Sequence, residues 1–317
     1  MRITNKVLSD TFLRNLSTNL NQMYKYQQQL SSGKLVSRPS DDPLLVAKIM
    51  SMDNNIALNE QYNTNIRDSL GWVKTQDTAL ADATSTLQRI KDLIIYGSNG
   101  SLSELDRSAI SEEVKQKLDQ LADILNTSFD GRYIFAGQKT HSRPFKVEDG
   151  ELVYNNYLNP YNPDAEINYD ENSNNVFREI SQGVEIKLIT DGNKLMRAED
   201  VENEDNKNLG DLLSNVIDAL DKGDTEKLSG ELLADIQKHI DNVVRVRTQI
   251  GAIYNRLEAA EERNIQENLH LKELLSQRED IDIAERFMEY TVMSNVYVAS
   301  LNIGAKILQP SLLDYLR

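Results

Sequence analysis

The chain has 317 residues, a formal net charge of −15 and no cysteine. Disulfides, Cys-ligated zinc and thiol catalysis are therefore excluded. Hydrophobic residues make up 39% of the chain and aromatics 6%, with 14 Gly and 6 Pro. So lean and so little punctuated a sequence predicts long helices that each bury one stripe, rather than a compact enzyme core.

No run of about 18 apolar residues occurs, so no transmembrane helix and no membrane insertion are expected. Met1 to Leu30 is basic but polar throughout, without an apolar h-region, and no cleaved signal peptide is expected. Residues 1–40 carry six basic residues against one acid, while 141–207 carry seven against fifteen. The positive charges are single and dispersed, which argues against nucleic-acid binding.

Leu13, Leu16, Leu20, Met23 and Leu30, with Gln27 at the missing step, fall at three-four spacing and predict a first helix with one heptad stripe. Gly33 can end it. Arg38 to Pro43 reads as a break and restart. Asp42 serves as the next cap and Pro43 as the first helical residue, so Asp41-Asp42 is read as capping rather than metal binding.

From Pro43 to about Tyr96 the face Val46, Ile49, Ile56, Ile66, Leu70, Val73, Leu80, Leu87, Ile90 and Ile94 predicts one helix of about 75–80 Å. Asp53, Glu60 and Asp77 interrupt its stripe. Trp72 is expected in the core. Gly97 to Gly100 is a turn. Ser101 with Glu104 resembles a capping box for a third helix, which carries Ile110, Val114, Leu118, Leu121 and Leu125 and packs antiparallel on its predecessor. Gly131 is expected to end it.

Tyr133, Ile134 and Phe135 change the pattern to strand. Asp149-Gly150 between Lys146-Val147 and Leu152-Val153-Tyr154 predicts a hairpin. Val184, Ile186 and Leu188 alternate with Glu185 and Lys187 as a half-buried strand. With Tyr154, Tyr157, Tyr161 and Tyr169 among Asn and Pro, residues 141–206 read as a small, acidic, mostly β insertion.

Helix resumes at Leu209, Leu212, Leu213, Val216 and Leu220 and stops at Gly223. Asp224 or Thr225 caps a second very long helix with Ile236, Ile240, Val243, Ile250, Tyr254, Leu257, Leu271 and Leu275 on its seam. Arg247, Glu261, Asn264 and Asn268 are polar seam positions, which fix register at a cost in packing. Ile281 to Leu308 is apolar again, and Pro310 marks its stop. The plan is mainly α, with long antiparallel helices. Coiled-coil-like terminal helices (1–42 and 283–317) flank a helical-bundle middle (43–140 and 207–282), which flanks the β insertion. The two ends should lie side by side.

No catalytic, cofactor or metal site stands out. His141, His239 and His270 are far apart in sequence, and the latter two are expected on solvated helix faces. No Walker loop, dinucleotide fingerprint, zincin helix or nucleophile elbow occurs. The chain is read as a non-enzyme without cofactors. The first helix alone is marginal in water and needs a partner, which the C-terminal segment offers. That segment is apolar on more than one face, which implies further subunits. The predicted assembly interface is Leu13, Leu16, Leu20, Met23 and Leu30 with Phe287, Val292, Val296, Leu301, Ile303 and Ile307.

Several stretches resemble the flagellin-like family of the bacterial flagellum. They are Met1-Arg2-Ile3-Thr4-Asn5, Leu30-Ser31-Ser32-Gly33-Lys34, Ser40-Asp41-Asp42-Pro43, Ile250-Gly251-Ala252 with Asn255-Arg256-Leu257, and Pro310 to Arg317. Pro43, and Phe129 to Gly137 with Pro144-Phe145, resemble its hook-associated protein 3 branch, which joins hook to filament. The resemblance implies an inner tube of terminal helices, a helical middle domain and an outer β domain. It implies hook-associated protein 1 and flagellin as partners, self-association into a ring or helical layer, and export by the flagellar type III apparatus with an export chaperone. It places the chain outside the cell, in the flagellum. The competing readings are a flagellin filament subunit, a cytoplasmic coiled-coil adaptor and an enzyme on a helical scaffold.

Overall fold

The computed structural model describes residues 5–148, 150–154 and 175–307, with the side chains of Asn5, Lys6, Glu204 and Ile307 excepted. Tyr157, Tyr161, Tyr169, Pro310 and the terminal stretches of the resemblance lie outside the described residues. Helices predominate: α1 (Asn5–Ser32), α2 (Pro43–Gly97), α3 (Glu104–Leu125), α4 (Asn193–Met196), α5 (Leu209–Lys222), α6 (Thr225–Lys227), α7 (Leu233–Glu279) and α8 (Ile283–Ile307). Three antiparallel hairpins interrupt them: β1 (Ser128–Phe129) with β2 (Arg132–Tyr133), β3 (Phe145–Glu148) with β4 (Glu151–Tyr154), and β5 (Val176–Ser181) with β6 (Val184–Leu188). The chain forms two compact units, Met1–Glu60 with Gln266–Arg317, and Gln61–Ile265.

The second unit holds the large core. Ile66, Val73, Leu80, Leu87 and Ile94 of α2 meet Val114, Leu118 and Leu121 of α3, Leu212, Leu213, Val216 and Leu220 of α5, and Ile236, Ile240, Val243, Ile250 and Leu257 of α7. The predicted stripes of α2 and α7 are therefore core faces. Trp72 is buried, as expected, with its ring edge-on to Phe129 at 6.1 Å. The Phe129 ring also lies on Gly71, where a β-carbon would come within 2.8 Å of Cζ. That close approach is why the one glycine inside α2 sits there.

The hairpins share this core. Phe145, Leu152, Tyr154, Ile180, Ile186 and Leu188 are buried in the same cluster as the helices. Gln76, fully buried on α2, donates to the carbonyls of Ile134 (3.0 Å) and Ile189 (2.6 Å) and so fastens two strand-rich segments to one helix. The predicted hairpin turns at Gly150, whose φ is +86°.

Three sequence expectations are corrected. The α3 cap is Ser103, not Ser101. Ser103 Oγ accepts from Asp106 N–H, and the Asp106 carboxylate accepts from Ser103 N–H, which completes a capping box two residues downstream. Ser101 instead turns its hydroxyl back to Asn99.

Gly131 does not end α3. The helix stops at Leu125 with Asn126 as its C-cap, whose N–H bonds the Ala122 and Ile124 carbonyls while its side chain accepts from Phe145 N–H and donates to Phe145 C=O, nineteen residues on. Asp130 and Gly131, with φ of +51° and +73°, form the turn of the β1–β2 hairpin, the left-handed pair that a two-residue hairpin loop needs.

His239 is not solvated. It is fully buried, with Nε2 2.9 Å from the Asn206 carbonyl and Nδ1 without a partner among the described residues. Burial lowers its pKa below the ordinary histidine value. Around it, Asn206 Nδ2 donates to Asp235 at 2.8 Å, and Asn242 Nδ2 donates to the carbonyls of Lys194 and Arg197. Asp235, His239 and Asn242 thus form a polar stripe of α7 that holds the segment between α4 and α5.

The stop at Gly223 and the start at Asp224 lie where the sequence predicts them. Gly223 caps α5 in a left-handed conformation, and Asp224 accepts from Lys227 N–H at the start of the next helix, which passes one π turn at Leu228–Leu232 before α7. In the second unit, polar seam residues of α7 meet polar residues of α2: Arg247 pairs with Asp77 and Arg67 with Glu261, both at 2.7 Å. The hydrogen bond to Asp77 raises the Arg247 pKa further.

Candidate assembly surface

The first unit is built on helix pairs. At its hinge, Gly33 (φ +73°) ends α1 and its N–H bonds the Gln29 carbonyl at 2.8 Å. The Leu35 N–H then donates to Glu279 C=O at 2.7 Å, and the Ile281 N–H to Gly33 C=O at 3.1 Å. Lys34 forms an ion pair with Glu279, and that hydrogen bond raises the Lys34 pKa. The break between α1 and α2 is thus bonded to the break between α7 and α8.

Each restart is capped by an aspartate. Asp42 Oδ1 accepts from Leu44 and Leu45 N–H, and Asp282 Oδ1 from Ala284 and Glu285 N–H. Such caps contribute about 1 kcal/mol each. Further along, Asn268 donates to Asn59 at 3.2 Å and Lys272 pairs with Glu60 at 2.8 Å, so a predicted interruption of each long stripe finds a polar partner on the other helix.

α1 and α8 pack antiparallel. Phe12 lies on Gly304, Asn19 Nδ2 donates to Ser300 Oγ at 3.4 Å, and the Arg286 guanidinium stands 5.6 Å over the Tyr26 ring. The half-buried residues of α1 at this seam are Phe12, Leu16, Asn19, Met23, Tyr26 and Leu30. Their spacing is four-three throughout, a heptad pattern. On α8 the matching row is Arg286, Tyr290, Met293, Tyr297, Ser300 and Gly304.

The predicted interface residues divide on this seam. Leu16, Met23 and Leu30 are half-buried within it. Leu13 and Leu20 stand outside it, 52% and 44% exposed. Phe287, Val292, Val296, Leu301 and Ile303 are exposed on α8, Phe287 and Val292 at about 60%. Ile307 is the last residue of α8 and its side chain is not described. Phe12, Asn19 and Tyr26 were missed, although they repeat every seven residues alongside Leu16, Met23 and Leu30. The sequence carries two overlapping heptads on α1, and the fold closes the one with the aromatics.

The consequence is an inverted helix. α8 turns glycine, serine, arginine, tyrosine and one methionine toward α1 and leaves its valines, Leu301 and Ile303 outward. Burying one such side chain is worth about 1.5–3 kcal/mol. Among the described residues no cluster of three or more His, Cys, Asp or Glu side chains could hold a metal.

The model of the bacterial flagellin N-terminal helical region matches residues 3–140. Flagellar hook-associated protein 3 of Escherichia coli is 33% identical over 154 residues, 48% of this chain and 49% of that protein. Over that N-terminal stretch the chain is similar to flagellins and to hook-associated protein 3. It spans about half the length of the hook-associated relatives it matches. Flagellin of Halalkalibacterium halodurans aligns more widely and less closely, 26% identical over 88% of this chain and 85% of that protein. The structure of a putative flagellar hook-associated protein from Vibrio parahaemolyticus covers 76% of the chain and all of its own, with a TM-score of 0.62 and 21% identity, which makes the fold a shared one. No helix of the described residues is long and apolar enough to cross a membrane.

Proposed function

We propose that this flagellin-like chain is a non-enzymatic structural subunit of the bacterial flagellum that forms the junction between hook and filament. The observation that carries it is the set of exposed apolar side chains on α8, together with Leu13 and Leu20 exposed on α1. A helix that leaves this many large apolar side chains exposed after packing on its partner helix needs neighbouring subunits to cover them. Identical contacts repeated head to tail generate a ring or helical layer.

On this reading residues 1–42 with 283–317 form the axial segments, 43–140 with 207–282 the helical middle and 141–206 the outer insertion. The partners are hook-associated protein 1 on one side and flagellin on the other. The chain reaches its extracellular place through the flagellar type III export apparatus, attended by an export chaperone and without signal cleavage. Support for the junction comes from the identity to hook-associated protein 3, from Pro43 and from the Phe129 to Phe145 stretch.

Cells lacking this protein should build hooks, export flagellin and lose it to the medium unpolymerised. Full-length filaments on the hooks of such cells would sink the junction reading. The alignment with flagellin over most of the chain favours one alternative, the filament subunit itself. Abundance separates the two, since a junction subunit is scarce beside a filament subunit in purified flagella.

A further inference from the structure

Between the end of α2 at Gly97 and the α3 cap at Ser103 the chain passes through Asn99-Gly100, the single Asn-Gly step in the sequence. Both residues are exposed. The Asn99 side chain closes a turn on the chain ahead of it. Its Oδ1 accepts the Ser101 hydroxyl at 3.0 Å and the Ser101 backbone N–H at 3.4 Å. This is the side-chain-to-backbone turn that asparagine favours.

The main chain of Asn99 is engaged on both sides, its N–H with Tyr96 C=O and its C=O with Leu102 N–H. The Gly100 N–H has no hydrogen-bond partner among the described residues. A β-carbon added at Gly100 would meet nothing within 4 Å, so no neighbour crowds this residue, and turning the Asn99–Gly100 peptide toward the Asn99 side chain gives up the Leu102 N–H bond to the Asn99 carbonyl.

We propose that this turn is a self-modifying site, at which Asn99 is converted to aspartate and isoaspartate. The Gly100 nitrogen, giving up its proton to water, attacks Asn99 Cγ and forms the new N–Cγ bond. Negative charge develops on Oδ1, where the two Ser101 donors already point. Donors aimed at a developing oxyanion lower the barrier of an acyl transfer, although exposure to water makes them weaker here than in a closed site. The Cγ–Nδ2 bond then breaks and the amide nitrogen leaves as ammonia, carrying the proton returned from solvent. Water opens the resulting succinimide at either carbonyl, giving aspartate or isoaspartate.

The product carries one more negative charge just ahead of the N-terminus of α3, where anions are favoured. The isoaspartate form also lengthens the α2–α3 connection by one backbone atom. Ile95, Tyr96 and Leu105, all exposed, flank that connection. The modification therefore alters a surface next to apolar side chains and accumulates with the age of the folded protein.

The test is peptide mapping by mass spectrometry of the intact full-length chain held at mildly alkaline pH, with an isoaspartate-specific methyl-transfer assay as the second readout. The same segment as a free peptide is the reference. Conversion of Asn99 in the folded chain should be at least as fast as in the peptide, and faster than at the other asparagines. Ser101→Ala should slow it several-fold in the folded chain while leaving the thermal midpoint unchanged, and Gly100→Ala should slow it further. Slower conversion in the folded chain than in the peptide, or a Ser101→Ala rate equal to wild type, overturns the proposal.

Discussion

The Phe12 ring lies so close to Gly304 that a β-carbon at 304 would fall 2.2 Å from Phe12 Cζ. The contact sets how near α1 and α8 approach one another at the chain ends. Alanine at 304 gains about 0.5–1 kcal/mol of helix propensity. Forcing the ring out of a packed seam costs about 1–3 kcal/mol. The second effect should win. Gly304→Ala is expected to lower hydrogen-exchange protection in α1, and Phe12→Ala combined with it to restore part of the loss, because the clash needs both partners. Equal effects of Gly304→Ala with and without the ring would show that the contact is not the constraint.

Helix capping offers a test of register. Ser103→Ala removes the hydroxyl that accepts from Asp106 N–H and donates to its carboxylate, and should lower the stability of the second unit by about 1 kcal/mol. Ser101→Ala, at the cap position first read from the sequence, should leave it unchanged. Thermal unfolding of the two variants decides between the positions.

His239 predicts a pH dependence with a definite sign. Its folded pKa lies below the unfolded value of about 6.5, because burial disfavours the charged ring and Nδ1 has no acceptor among the described residues. The Asp235 carboxylate, bonded by Asn206 and paired with Lys238, acts the other way and is outweighed. The unfolded chain therefore binds the proton more readily. The contribution is fully present above about pH 6.5 and is lost as pH falls toward the folded pKa, at a limiting slope of about 1.4 kcal/mol per pH unit. His239→Gln keeps an N–H for the Asn206 carbonyl and should flatten this part of the stability curve. An unchanged slope in that variant would assign the effect to another group.

What could be read from the sequence rested on helical period or on a local cap or turn signal; what could not was decided by contacts between segments far apart in the chain. The α2 and α7 stripes, the Asp42 cap, the Gly223 stop and the Asp149-Gly150 hairpin each rest on a pattern that one physical cause dominates. Gly131 is not the stop because a glycine after a helical run fits either a helix end or a hairpin turn, and the helix has already ended at Leu125 with Asn126 as its cap. His239 was read as solvated although it lies three residues after Ile236 and four before Val243. The segment that covers it has no period to betray it. The α1 seam was half legible, since Leu16, Met23 and Leu30 belong to both heptads and only packing against α8 selects Phe12 and Asn19 over Leu13 and Leu20.

That selection separates two kinds of residue on α1 and gives the most direct test of the assembly surface. Leu16 faces α8 within the chain, whereas Leu20 stands outside the seam, 44% exposed. An aspartate at 20 in the isolated chain keeps its carboxylate in water, so Leu20→Asp should leave helix content and thermal unfolding close to wild type. In an assembly that covers position 20, the same carboxylate is buried without a partner, at a cost of several kcal/mol. Leu20→Asp cells should then make and export the protein yet fail to form filaments. Leu16→Asp should differ by already loosening the α1–α8 pair in the isolated chain, seen as lost hydrogen-exchange protection. Normal motility and normal filaments in Leu20→Asp cells would show that the outer face of α1 is not covered by a neighbour.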